Sequence, residues 1–166
     1  MITAAVLTLS DKGSRGERED LSGPAIREII AQIGAHVEHY EVIPDEKELI
    51  KERLVEYSKK VDIIFTTGGT GLSPRDVTPD ATREVIDREV PGMAEAMRSE
   101  GLKKTRRAML SRAVAGVRDK CLIINLPGSV KAVREGLEVL LEVIPHAVEK
   151  IQGSTEDCAI QEPGVR

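Results

Sequence analysis

Aromatic side chains are almost absent from this sequence, which has two tyrosines, one phenylalanine and no tryptophan in 166 residues. Single-stranded nucleic acid is held by stacking bases on aromatic rings, and Tyr40, Tyr57 and Phe65 are too few for that. A large interface anchored on aromatic residues is disfavoured for the same reason. Cysteine is as scarce. Cys121 and Cys158 lack C-x-x-C spacing and a companion histidine pair, which argues against zinc and excludes a disulfide framework. No apolar run comes near the roughly 18 residues of a membrane span. Met1 to Leu9 carries neither the basic stretch nor the small-residue cleavage site of a secretory leader. A formal charge of −4 gives no bulk attraction for nucleic acid. The expectation is a cytoplasmic protein with no nucleic-acid and no membrane partner.

The length suits one domain over residues 1–153, followed by a loosely packed tail at 154–166. The charge is unevenly spread. Residues 98–120 hold eight bases (Arg98, Lys103, Lys104, Arg106, Arg107, Arg112, Arg118 and Lys120) against Glu100 and Asp119, while the remainder of the chain is acidic. Such a stretch suits a phosphate-bearing ligand, a solvated face or a subunit contact.

Strands and helices alternate. Ile2 to Leu9 reads as a buried strand, followed by a polar, glycine-rich stretch from Ser10 to Gly23. Ser22 is the predicted cap of a helix with Pro24 in its first turn, apolar at Ile26, Ile29, Ile30 and Ile33 and stopped by Gly34. His36 to Ile43 reads as a strand, and Pro44-Asp45 opens a helix with Leu49, Ile50, Leu54 and Tyr57 on one face. Val61 to Thr67 is continuously apolar, as expected of a strand covered on both faces. After a long loop, Thr78 caps a helix with Pro79 at its first position, and a further helix is predicted over 91–104. Ala113 to Val117 and Cys121 to Leu126 read as strands, and a final helix from Val133 to Ile151 is kinked or split at Pro145. This order predicts an α/β fold with a mostly parallel central sheet. Ligands bind beyond the carboxyl ends of such strands. The loops 10–23, 68–80 and 127–129, with Pro44-Asp45, converge on that rim.

The segment from Thr66 to Asp80, TTGGTGLSPRDVTPD, carries the most chemistry. Its glycines allow positive φ and close approach to the backbone, and exposed N–H groups there, or at the helix start near Thr78, can cradle phosphate. It has neither the Walker spacing nor the G-x-G-x-x-G fingerprint, and taken alone it is equally a tight turn. Asp45 and Asp76 each stand just past a predicted strand end, where one or two carboxylates can hold Mg²⁺. The alternative for Asp45 is a helix N-cap, and for Asp76 an Asx-turn or a partner for Arg75. Asp11 and Asp20 share that ambiguity. There is no Gly-x-Ser-x-Gly elbow and no activated cysteine, and His36, His39 and His146 read as structural or surface residues. The chemistry therefore rests on positioning and electrostatics, as in phosphoryl or nucleotidyl transfer.

The run from Thr66 to Thr82, TTGGTGLSPRDVTPDAT, resembles the signature of the molybdopterin-binding domain family. Ser10-Asp11, Asp20-x-Ser22-Gly23, Ile43-Pro44-Asp45-Glu46, Pro91-Gly92-Met93, Leu110-Ser111-Arg112 and Asn125-Leu126-Pro127-Gly128-Ser129 agree with it in order, over residues 2–151. The resemblance implies a three-layer α/β/α domain, usually a homotrimer. For the adenylyltransferase branch it implies transfer of AMP from ATP, with Mg²⁺, to the terminal phosphate of molybdopterin, and a molybdenum-insertase protein as partner. It makes Asp45 and Asp76 the catalytic, Mg²⁺-handling residues. It assigns Ser10, Asp11, Thr67, Gly68, Gly69, Thr70, Gly71, Ser73, Pro127, Gly128 and Ser129 to binding of nucleotide and pterin phosphate. The alternatives are a non-catalytic molybdopterin carrier of the same fold and a CinA-type nucleotide-processing domain. The charged loop Lys12 to Glu19 falls where the family varies.

Overall fold

A computed structural model describes residues 1–154. All of the expected tail beyond Ser154, including Cys158, lies outside the described residues. Six strands form one sheet: β1 (Ile2–Leu9), β2 (Ala35–Ile43), β3 (Ile63–Thr67), β4 (Arg88–Glu89), β5 (Ala115–Arg118) and β6 (Cys121–Leu126). Their order is β2-β1-β3-β6-β5-β4. The first four in that order are parallel, and β5 and β4 close one edge antiparallel. The helices are α1 (Asp11–Ser14), α2 (Ser22–Ile30), α3 (Lys47–Tyr57), α4 (Thr78–Val85), α5 (Pro91–Leu102), α6 (Val130–Leu140) and α7 (Ile144–Ile151).

Alternation along β1 explains the layering, because successive side chains point to opposite faces. Ala4 and Val6 join a buried cluster with Ile26 and Ile30 of α2, Met93 of α5, Val133 and Leu137 of α6, and Ile144 and Val148 of α7. Ala5, Leu7 and Leu9 join a second cluster with Ile50 and Leu54 of α3 and Ala81 and Val85 of α4. The result is the expected three-layer α/β/α arrangement around a mostly parallel sheet.

The sequence expectations fail locally where a side chain finds a distant partner. Ser22 lies inside α2, and Asp20 caps that helix instead: its Oδ1 accepts from the N–H groups of Ser22 (3.0 Å) and Gly23 (3.2 Å). The Ser22 hydroxyl donates to the carbonyl of Gly128 at 2.9 Å. Thr78 is likewise inside its helix, and its hydroxyl donates to Gly68 O at 3.0 Å. The polar stretch after β1 contains a single helical turn, α1, capped by the Ser10 hydroxyl accepting from Gly13 N at 3.0 Å. Pro145 opens α7 rather than kinking a continuous helix, consistent with proline's tolerance in a first turn. β5 starts at Ala115, not Ala113, and the two-residue edge strand β4 has too short a pattern to be read.

Asn125 ties the centre of the sheet together. It is fully buried on β6, its amide donates to the hydroxyls of Thr66 and Thr82 (both 2.9 Å), and its Oδ1 accepts from Val114 N at 3.2 Å. Removing Asn125 leaves Val114 N and the Thr66 hydroxyl buried without this partner, while Thr82 keeps its bond to Thr78 O, at a cost of about 1–3 kcal/mol. Asn125→Ala is therefore expected to lower Tm by about 5 °C or more in a thermal melt. An unchanged Tm would show that the network carries no stability.

Candidate functional site

β1 and β6 flank β3, so the loops leaving these three strands lie side by side. They are stitched together directly. Gly68 N donates to Leu126 O (3.1 Å) and the Thr67 hydroxyl to Pro127 O (2.7 Å), while Ser10 N donates to Ile43 O (2.9 Å) at the end of β2 and so brings in the loop that carries Asp45. Gly68 has φ +98° and Gly69 φ +65°, conformations that side-chain-bearing residues rarely adopt. A Cβ at Gly69 would stand 3.0 Å from Asp45 Oδ1 and would collide with the Thr78 hydroxyl, so this turn must be bare backbone.

A cleft of about 570 Å³ opens at this junction. Of the expected site residues it is lined by Ser10, Asp45, Thr67, Gly68, Gly69, Asp76, Gly128 and Ser129. Thr70, Gly71 and Pro127 instead line a separate cavity of about 300 Å³, walled by apolar residues including Ala94, Met97, Ala108 and Leu110. Asp11 and Ser73 line neither, and each supports one of the two aspartates. Asp11 and Asp45 exchange backbone-to-carboxylate hydrogen bonds, Asp11 N to Asp45 Oδ2 at 3.1 Å and Asp45 N to Asp11 Oδ1 at 3.0 Å. Ser73 N donates to Asp76 Oδ2 at 2.9 Å.

These contacts decide between the alternatives left open above. Asp45 does not cap α3, whose N-cap is Glu46 with no side-chain capping bond. Asp76 does close a turn of its own loop through Ser73. Arg75 turns away from Asp76, with Nε and Nη2 on Asp11 (3.0 and 2.8 Å) and Nη2 on Glu46 (3.0 Å). Asp45 carries the electrostatic strain. Burial raises its pKa, and the charges of Asp11 and Asp76 add to the effect, opposed by the Asp11 N–H bond and by Arg75. The Arg75 guanidinium instead lowers the pKa of Asp11.

The donor set fits Mg²⁺. Burial and the nearby charge of Asp76 disfavour ionised Asp45, which a cation in the shared cleft would offset, and Mg²⁺ keeps most of its waters and needs only one or two protein oxygens. Among the described residues no cluster of three or more His, Cys, Asp or Glu side chains forms a fuller cage.

The rim also holds residues beyond those the resemblance assigns to binding or catalysis. Thr8, Asp20 and Ser22 also line the cleft. Asp20 accepts from the Thr8 hydroxyl at 2.7 Å and the Tyr40 hydroxyl at 2.6 Å, and burial followed by the Asp20 contact pushes the Tyr40 pKa up to about 12. The motif Asp20-x-Ser22-Gly23 was the available signal, whereas nothing in the sequence pairs Tyr40 with it. Much of the basic stretch is engaged in contacts within the chain. Arg98 holds the carbonyls of Ser111 and Ala113, Arg118 that of Val85, and Lys103 and Lys104 pair with Glu100 and Glu135.

Residues 5–146 match a family model described as "Probable molybdopterin binding domain". The molybdopterin adenylyltransferase of Helicobacter pylori (strain J99) is 44% identical over 157 residues, which cover 92% of this chain and 89% of that protein. The molybdopterin adenylyltransferase of Pyrococcus furiosus is 38% identical over 150 residues, 87% of this chain and 88% of that protein. The crystal structure of the molybdopterin biosynthesis enzyme MoaB from Thermus thermophilus aligns with a TM-score of 0.88 at 54% identity, covering 93% of this chain and 98% of that one.

Proposed function

The chain belongs to the molybdopterin-binding domain family, and we propose that it works as a molybdopterin adenylyltransferase, moving AMP from ATP onto the phosphate of molybdopterin and releasing pyrophosphate in molybdenum cofactor biosynthesis. One observation carries the reading. Asp45 and Asp76, from two different βα loops, line the same cleft as the Gly68-Gly69 turn and the Gly128–Ser129 entry to α6.

In this reaction a phosphate oxygen of molybdopterin bonds to the α-phosphorus of ATP while the bond from that phosphorus to the bridging oxygen breaks. The electron pair leaves with pyrophosphate, and no protein nucleophile is needed. The chain supplies the setting. Bare backbone at Gly68 and Gly69 lets phosphate oxygens approach closely, and the start of α6 presents N–H groups and the positive end of its dipole. Arg75 keeps Asp11 in place, and Asp11 keeps Asp45 in place. Asp45 and Asp76 would hold Mg²⁺, which when bound offsets the charge gathering on the leaving pyrophosphate.

Incubation of the protein with molybdopterin and MgATP is expected to release pyrophosphate and yield adenylylated pterin, with neither product when molybdopterin is omitted or EDTA is added. Asp76→Asn is expected to cut turnover about 100-fold or more while changing pterin affinity far less. Tight pterin binding without pyrophosphate release would point to a carrier. Hydrolysis of ADP-ribose in place of adenylyl transfer would point to a CinA-type activity.

A further inference from the structure

Arg112 follows the short 3₁₀ turn Arg106–Leu110 and lines neither cavity, yet it grips the glycine loop at both ends. Its own N–H donates to Thr70 O at 2.9 Å. Its Nε donates to Gly71 O at 3.0 Å and its Nη2 to Asp76 O at 2.6 Å. The same guanidinium straddles the carboxylate of Asp80 in the first turn of α4, with Nη1 to Oδ1 at 3.1 Å and Nη2 to Oδ2 at 3.0 Å. Pairing with Asp80 raises the pKa of Arg112 and lowers that of Asp80, so both stay charged.

We propose that Arg112 is a positioning residue for adenylyl transfer, fixing the Gly71–Asp76 loop against α4 and thereby fixing where the Asp76 carboxylate stands. The inference rests on the transfer reading above. The Asp76 carboxylate is tied to its own loop, its Oδ2 accepting from Ser73 N, so carboxylate and loop move together. The carbonyl hold also sets the amides. In a planar trans peptide the N–H points opposite to the C=O, so turning the carbonyls of Thr70, Gly71 and Asp76 toward Arg112 turns the N–H groups of Gly71, Leu72 and Val77 away from it. Only a planar fork with donors on several sides can hold two carbonyls and a carboxylate at once. Lysine is a single point of charge and cannot replace it.

The test compares wild type, Arg112→Lys, Arg112→Ala and Asp80→Asn, each confirmed folded by its melting curve and assayed well below its Tm. For Arg112→Lys, kcat is expected to fall about 100-fold, the scale of an ångström-sized misplacement, with KM for molybdopterin within about threefold. Asp80→Asn, which leaves the fork without its carboxylate, should fall between that variant and wild type. Millimolar methylguanidinium should partly restore Arg112→Ala, an effect that general loss of stability would not give. Amide exchange across residues 68–77 should quicken in Arg112→Lys, and this readout needs no turnover. A kcat within threefold of wild type in Arg112→Lys, or unchanged exchange across the loop, would overturn the proposal. An inactive wild type with faster loop exchange in the variant would overturn the transfer reading while leaving Arg112 as the loop's anchor.

Discussion

Replacing Asp45 by asparagine is expected to cut turnover sharply and, at neutral pH, to raise the melting temperature. Both effects have one cause. Asp45 is half-buried in the cleft and faces the charges of Asp11 and Asp76, so its ionised form is disfavoured and its pKa lies above the ordinary 3.8. A carboxyl raised in the folded state binds protons more readily there than in the unfolded chain. Relative to the unfolded state, stability is therefore full below 3.8 and falls as pH rises through the folded pKa. Asparagine removes the charge and keeps an oxygen to accept the Asp11 N–H. The Tm gain should be present at pH 7, shrink as pH falls toward 4, and be lost when Mg²⁺ stabilises the wild type. Turnover should drop about 10³-fold, since a charge placed for the transition state is gone. Paired melts at pH 4 and pH 7, alongside the pyrophosphate assay, check both halves. A Tm at pH 7 at or below wild type would refute the electrostatic account, and turnover within tenfold of wild type would refute the assigned role.

Gly68→Ala should damage fold and site together. At φ +98° an alanine costs about 1–3 kcal/mol from backbone strain alone. Its Cβ would stand 2.5 Å from the carbonyl oxygen of Leu9, which is backbone at the end of β1 and cannot swing aside. The relief is to move β3's exit away from β1, which drives Gly68 toward β6 and distorts its bond to Leu126 O. A total loss of about 3 kcal/mol or more corresponds to a fall of about 10 °C in Tm, and the displaced loop should cost about 100-fold in kcat/KM. Gly92→Ala is the control. Nothing lies within 4 Å of a Cβ there, and in the first turn of α5 alanine should be neutral or slightly stabilising. Equal Tm values for Gly68→Ala and Gly92→Ala would show that the junction tolerates a side chain.

What the sequence disclosed was whatever depends on neighbours along the chain. The apolar runs marked β1, β3 and β6, and a parallel sheet then brought their carboxyl ends together, placing Asp45, Asp76, Gly68, Gly69 and Ser129 around one cleft. The failures are three-dimensional. Thr70 and Gly71 are adjacent to Gly69 in sequence, yet they turn to a different cavity, because loop direction after two positive-φ glycines has no periodicity to read. Ser22 looked like a cap by composition, but Asp20 took that place because its carboxylate also reaches Thr8 and Tyr40. Arg112 stood out only as one base among eight and as part of Leu110-Ser111-Arg112, and only the fold reveals that its partners lie 32 to 42 positions away.

The stitching at the ends of the central strands also bears on synthesis. β6 slots between β3 and β5, and the bonds it brings, Thr67 to Pro127 and Asn125 to Thr66, span about sixty residues of chain. Closing so long a segment carries an entropy cost that local contacts cannot offset, so these pairings belong to the late stages of folding. A nascent chain that has emerged only as far as β5 has Asp45, Asp76 and the glycines already made, yet it lacks the strand that holds their loops in register. Catalytic competence thus arrives with the last central strand, and every molecule able to handle a phosphate is one whose sheet has closed.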